Sequence, residues 1–168
     1  LRPGAAIEWV RSHAAAIAPG AIVVDLCGVK RPVVAALAPL AAAHSFSYIG
    51  GHPMAGRERG GFVSATDDLY AGASMILTPD ERTDLPLLET LKAFFLDVGF
   101  AHLTSPPPED TDRIIAYTSQ LAHITSSAYV RSPDALLRRG FSAGSFQDMT
   151  RVARLDEEMW TELFIEDA

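Results

Sequence analysis

The chain has 168 residues, 48% of them hydrophobic and 21% charged, the balance of an ordinary soluble globular protein. A net charge of -7 and a pI near 5.1 weigh against nucleic acid as a partner, although local basic residues leave room for a small acidic ligand. A single cysteine, Cys27, excludes an internal disulfide or a multi-cysteine metal cluster and fits a reducing, cytoplasmic setting.

From Ala5 to Ala18, apolar residues Ile7, Val10, Ala14 and Ile17 recur at spacings of three and four, which predicts a helix stopped by Pro19 and Gly20. The run AIVVD at 21–25 is apolar and β-branched and predicts a strand buried on both faces, as in a parallel sheet. Residues 30–43 predict a second helix, with Pro32 tolerated in its first turn. FSYIG at 46–50 predicts another strand, and GGHPMAG at 50–56 a loop in which glycines and a proline surround His52. A strand over 73–79, a helix over 84–97 and a short strand over 100–104 complete an α/β alternation. Three prolines at 106–108 mark a change of regime, and the chain beyond them is helical in pattern, with Ile114, Ile115, Tyr117, Leu121 and Ile124 in register. The expected division is therefore 1–105, an α/β part, and 106–168, the start of an all-helical part. No run of 18 apolar residues predicts a membrane span.

The five histidines show no HxxxH or HExxH spacing, so no metal site is predicted. His13, His44 and His102 read as ordinary packed or surface residues. For His52 two readings stand: a tight turn, or an imidazole held rigidly at the crevice beyond the carboxyl ends of the strands, where α/β sheets bind ligands. DLCGVK at 25–30 ends one predicted strand and GGHPMAG the next, which brings two unusual loops to that edge. Ser119 and His123 share a helix face, and Asp148 with Arg151 could be a plain surface ion pair.

Taken in order, DLCGVK, GGHPMAGRERGGFVSATDDLYAGASMILTP, SQLAH and GSFQDMTRVARLDEEMW resemble the prephenate dehydrogenase family of tyrosine biosynthesis. The resemblance implies the C-terminal part of a Rossmann-type parallel-sheet domain, followed by the start of a helical domain that forms a homodimer. It implies NAD as cofactor, with NADP possible, and oxidative decarboxylation of prephenate to 4-hydroxyphenylpyruvate. The same chemistry on arogenate, and a non-catalytic module that kept the fold, are the alternatives. His52 is then the base that takes the ring hydroxyl proton, and Arg151 the carboxylate-binding guanidinium, with Asp148 orienting it. His123 and Ser119 line the substrate and nicotinamide side, Glu58 the pocket entrance and Trp160 the substrate region. Asp25, Gly28, Lys30 and Pro53 are expected on the cofactor. Many relatives carry serine where this chain has Gly28, so Cys27, a water or the backbone would replace that hydroxyl. The family's GxGxxG turn is not in the sequence, so an internal segment of a longer dehydrogenase, binding cofactor poorly by itself, is expected.

Overall fold

The computed structural model describes residues 2–56, 61–62 and 65–166. Helix α1 (Pro3–His13) begins at a proline whose fixed φ suits a first turn, and runs into a single 3-10 turn at Ala14–Ala16. Strand β1 (Ile22–Asp25) leads to α2 (Arg31–His44), then β2 (Ser47–Pro53) and β3 (Ser74–Thr78). Asp84 caps α3 (Leu85–Val98) by accepting from the Leu87 amide at 2.9 Å, and Gly99, at φ 113°, ends it in the left-handed conformation. Strand β4 (His102–Thr104) closes the α/β part.

The four strands lie in the order β1-β2-β3-β4. The parallel expectation holds for β1 with β2 and for β3 with β4, but β2 and β3 are antiparallel. Among the described residues no α-helix lies between β2 and β3, the element that usually carries the crossover of a parallel pair. That pairing also corrects the loop expected around His52. Gly51 lies opposite Leu77, His52 opposite Ile76 and Pro53 opposite Met75, so β3 carries β2 three residues beyond its predicted end. The imidazole therefore stands on a paired strand.

Alternation along the strands sorts the core into two layers. Val23 and Tyr48 face α1 and α2 and pack with Ala6, Val10, Val33, Leu37 and Ala41. Val24, Ile49, Met75 and Leu77 face α3, against Leu88, Leu91 and Phe95. Strand β1 is less covered than its sequence suggests: Ile22 is exposed and Val23 and Val24 are half-buried, because among the described residues β1 pairs on one side only.

The helical part opens with Pro108 as the first residue of α4 (Pro108–Ile115), which passes through a π-helical turn at Ala116–Gln120 into α5 (Leu121–Val130). Short α6 (Pro133–Leu136) precedes α7 (Gly144–Arg151) and α8 (Glu157–Glu166). Of the apolar register read from 114 to 124, only Ile115 is buried, whereas Ile114, Tyr117, Leu121 and Ile124 are exposed. Two ties fasten this part to the sheet. Buried Asp112 accepts from the Lys30 and Arg31 amides at 2.6 and 2.8 Å, which caps the start of α2. At the other end of the chain, α8 reaches α1 through Glu162, which accepts from the Gly4 amide at 2.8 Å, and through Glu158, paired with Arg2 at 3.2 Å.

Gly50 and Gly51 let both layers close on β2. A Cβ at Gly51 would stand 2.6 Å from the Asp25 carbonyl oxygen, 2.7 Å from Met75 Cε and 2.8 Å from Val24 Cγ1. Gly51→Ala is expected to lower stability by about 1–3 kcal/mol through this crowding. Thermal unfolding checks it, and an unchanged Tm would show that the strand yields. Asp112→Ala, which removes the acceptor of two helix amides, should cost about 2 kcal/mol in the same assay, while Asp112→Asn should cost less.

Candidate active site

At the carboxyl end of β2, one face of the sheet carries a polar cluster in an otherwise apolar layer. Tyr48, Gly50 and His52 share that face by alternation, and Asp25, opposite Gly50, joins them from β1. Lys30, wholly buried, reaches in from the loop before α2, where its ammonium group pairs with Asp25 Oδ1 and donates to the Gly51 carbonyl at 2.5 Å. Asp25 is otherwise satisfied by the Tyr48 hydroxyl, 2.6 Å from Oδ2, and by the Cys27 amide, 2.9 Å from Oδ1. Burial, reinforced by the negative charge of Asp25, pushes the Cys27 thiol up to about 12 and the Tyr48 phenol far above its ordinary value, so both stay protonated.

His52 borders this network. Its pKa is lowered to about 4, first by burial and then by the Lys30 ammonium, with Asp25 opposing. The imidazole is neutral at any physiological pH. Its Nδ1 is buried with no hydrogen-bond partner, as is the Thr78 hydroxyl, which lies on the same sheet face opposite Gly50. A buried polar atom that no protein group satisfies is rare in a folded protein, and here two such atoms lie on one sheet face.

A second group forms in the helical part. His123 on α5 donates from Nδ1 to the Val152 carbonyl at 2.9 Å, which leaves Nε2 as the acceptor of the neutral ring. Its ring lies 4.1 Å from that of Trp160 on α8. Ser126, the next turn of α5, donates to the Met149 carbonyl at 2.6 Å, so α5 holds α7 at two points. Arg151 ends α7, exposed and adjacent to the residue that His123 holds, and Asp148 lies exposed one turn earlier. Ser119, half-buried, sits in the π-helical turn, a feature that often marks functional sites.

The sequence-predicted residues thus fall into two sets: Asp25, Lys30 and His52 on the sheet, and His123, Trp160 and Arg151 on the helices. They approach each other at Gly28, where a Cβ would stand 3.4 Å from Cδ2 of Leu163, one turn beyond Trp160. That is ordinary contact, so the backbone at Gly28 accepts a serine. Cys27 does not replace the missing hydroxyl outwardly, since its thiol is buried and hydrogen-bonded to Asp25. Asp25 and Lys30, expected on the cofactor, are buried and paired with one another, and Gly28 and Pro53 are partly exposed, as is Leu26. Glu58 lies outside the described residues. Tyr48, Thr78 and Asp112 escaped sequence reasoning. Only Tyr48 left a signal, as the residue four before His52 and on the same strand face.

Among described residues no helix is long and apolar enough to cross a membrane. Residues 3–104 match the family described as prephenate dehydrogenase, nucleotide-binding domain, and residues 107–168 that described as prephenate dehydrogenase, dimerization domain. Prephenate dehydrogenase of Bacillus subtilis is 32% identical over 126 residues, which cover 71% of this chain and 33% of that protein. The crystal structure of prephenate dehydrogenase from A. aeolicus in complex with hydroxyphenyl propionate and NAD+ superposes with a TM-score of 0.84 at 30% identity, over 99% of this chain and 59% of that one. Synechocystis arogenate dehydrogenase gives a TM-score of 0.75 at 28% identity, over 97% and 58%. The chain spans a third of the length of the Bacillus relative. With both of its parts matched in order, it belongs to the prephenate dehydrogenase family.

Proposed function

We propose that the protein is an NAD-dependent dehydrogenase, NADP being the alternative cofactor, that oxidatively decarboxylates prephenate to 4-hydroxyphenylpyruvate. The carrying observation is His52: a neutral imidazole with an unpartnered buried Nδ1, at the strand ends where α/β sheets bind ligands. Arogenate is the second reading, supported by the likeness to the Synechocystis enzyme. On this proposal residues 1–105 belong to the nucleotide-binding part and 106–168 to the helical part, in a cytoplasmic enzyme.

The residues present fit the nicotinamide end of such a cofactor. Leu26 and Gly28, just after β1, and Pro53, next to His52 in sequence, are partly exposed and uncharged and are the residues that would hold the nicotinamide. When bound, the cofactor accepts a hydride from the ring carbon that bears the hydroxyl. The chain's own residues do the rest. His52 takes the hydroxyl proton as the carbonyl forms, which its neutral state permits. Loss of the ring carboxylate as carbon dioxide then sends its bonding pair into the ring, which becomes aromatic, while the carbonyl pair moves onto oxygen as a phenolate that takes back a proton. Arg151 supplies a planar donor pair for a substrate carboxylate, with Asp148 one turn away to orient it. His123, its Nε2 an acceptor, and Trp160 form the wall beside Arg151, with Ser119 on the same helical segment. Glu58 is assigned to the pocket entrance on resemblance alone.

A homodimer through the helical part is supported by the exposed apolar residues Ile114, Tyr117, Leu121 and Ile124, spaced along one continuous helical segment. The matched family's own description as a dimerization domain agrees with it.

The test is prephenate-dependent NADH formation by the product of the complete reading frame. His52→Asn is expected to lower kcat by about 100-fold or more with KM little changed. No activity of the wild type with prephenate or arogenate and either cofactor would leave the non-catalytic module as the better reading. Arg151→Lys, which replaces a planar fork by a point charge, should raise KM about 10-fold with a smaller effect on kcat. An unchanged KM would remove Arg151 from the carboxylate site.

A further inference from the structure

We propose that Lys30 is a positioning residue for His52, acting through its buried contacts with Asp25 and the Gly51 carbonyl. This rests on the reading of His52 as the base.

Lys30 meets neither solvent nor the partly exposed strand-end surface, yet it touches the peptide unit that joins Gly51 to His52. Its amide is held by Asp112 and its ammonium by Asp25, so backbone and side chain are both anchored. Asp25 is fixed in turn by the Tyr48 hydroxyl and the Cys27 amide. The Gly51 carbonyl, and with it the direction in which β2 presents His52, is therefore referred to a rigid charged cluster. A Cβ at Gly50 would lie 3.4 Å from Lys30 Cδ, so the lysine stem runs along the face that His52 shares.

The charge acts on the imidazole as well. The charged groups that bear on His52 are Lys30, from the loop after β1, and Asp25, from β1, with Cys27 and Tyr48 hydrogen-bonded to Asp25 behind them. Cys27 and Tyr48 stay neutral, and the ammonium and carboxylate oppose one another. Lys30 disfavours imidazolium, so the free protein keeps His52 unprotonated and able to accept the hydroxyl proton. With Lys30 removed, Asp25 faces the imidazole without its counter-charge, and the pKa of His52 rises.

The experiment tracks His52 directly, by NMR titration of histidine-labelled full chain, with His52→Asn to assign the resonance. Wild type should titrate near pH 4. In Lys30→Met the midpoint should rise by about 1 to 3, as expected for loss of a nearby opposing charge. The same variant should lose about 10- to 100-fold in kcat with KM little changed, the signature of a misaligned group. Tyr48→Phe, which spares the ion pair but frees Asp25 Oδ2, should shift the midpoint upward by less. It serves where Lys30→Met fails to fold. A His52 titration that superimposes on wild type in every folded variant overturns the proposal. If wild type has no dehydrogenase activity, the functional reading fails and the titration alone decides whether Lys30 governs His52.

Discussion

The ion pair between Lys30 and Asp25 is the constraint around which the rest is arranged. Two charges taken out of water lose several kcal/mol of hydration each, and their attraction repays this only when the remaining donors and acceptors are also met. Here they are met from two adjacent strands: Asp25 ends β1, Cys27 supplies an amide two residues later, Lys30 returns three residues beyond that, and Tyr48 and Gly51 come from the neighbouring strand. An apolar pair of similar volume could fill the same space without this cost. What it could not do is orient a carbonyl on β2 and place a positive charge beside an imidazole. The pair is therefore better explained by what it specifies than by what it stabilises.

This constraint also accounts for the glycines. The lysine stem and α2 press on one face of β2, while Met75 and Val24 press on the other, and side chains at 50 and 51 would meet both. It accounts for the junction with the helical part too, because the residue whose ammonium faces Asp25 gives its amide to Asp112 on α4. Lys30 thus connects β1, β2 and α4 through three separate polar contacts. A shift of the helical part would pull on the same residue that braces His52, so the two halves of the candidate site are coupled through backbone and charge.

Much of this arrangement was legible in the sequence because it rests on local signals. The helix read over 84–97 is α3, which Asp84 caps and Gly99 ends, and the prolines at 106–108 lie between the two parts, whereas the helix read to Ala18 is α-helical only to His13, short of Pro19 and Gly20. His52 stood out by its neighbours. The direction of β3 was not legible, since an apolar strand reads alike in either direction and only its pairing decides. For the same reason His52 looked like a loop residue: what makes it a strand residue is Ile76, twenty-four positions away in sequence and opposite it in the ladder. That Asp25 and Lys30 pair with one another in the interior was not legible either, because burial is not written in the local sequence. Asp112, eighty-two positions from Lys30, carries no local mark at all.

The two histidines of the candidate site have their imidazoles fixed in direction by different means. His52 is kept neutral by burial and by the adjacent ammonium, with its strand setting the direction. His123 has its tautomer set by a carbonyl, which obliges Nδ1 to donate and leaves Nε2 to accept. That carbonyl belongs to Val152, so the bond that fixes the tautomer also fixes the backbone next to Arg151. Trp160, packed on the His123 ring, belongs to the helix that contacts α1 and approaches Gly28. The imidazole on the helices is thus tied to the backbone beside the arginine by its hydrogen bond and, through Trp160, to the helix that contacts α1.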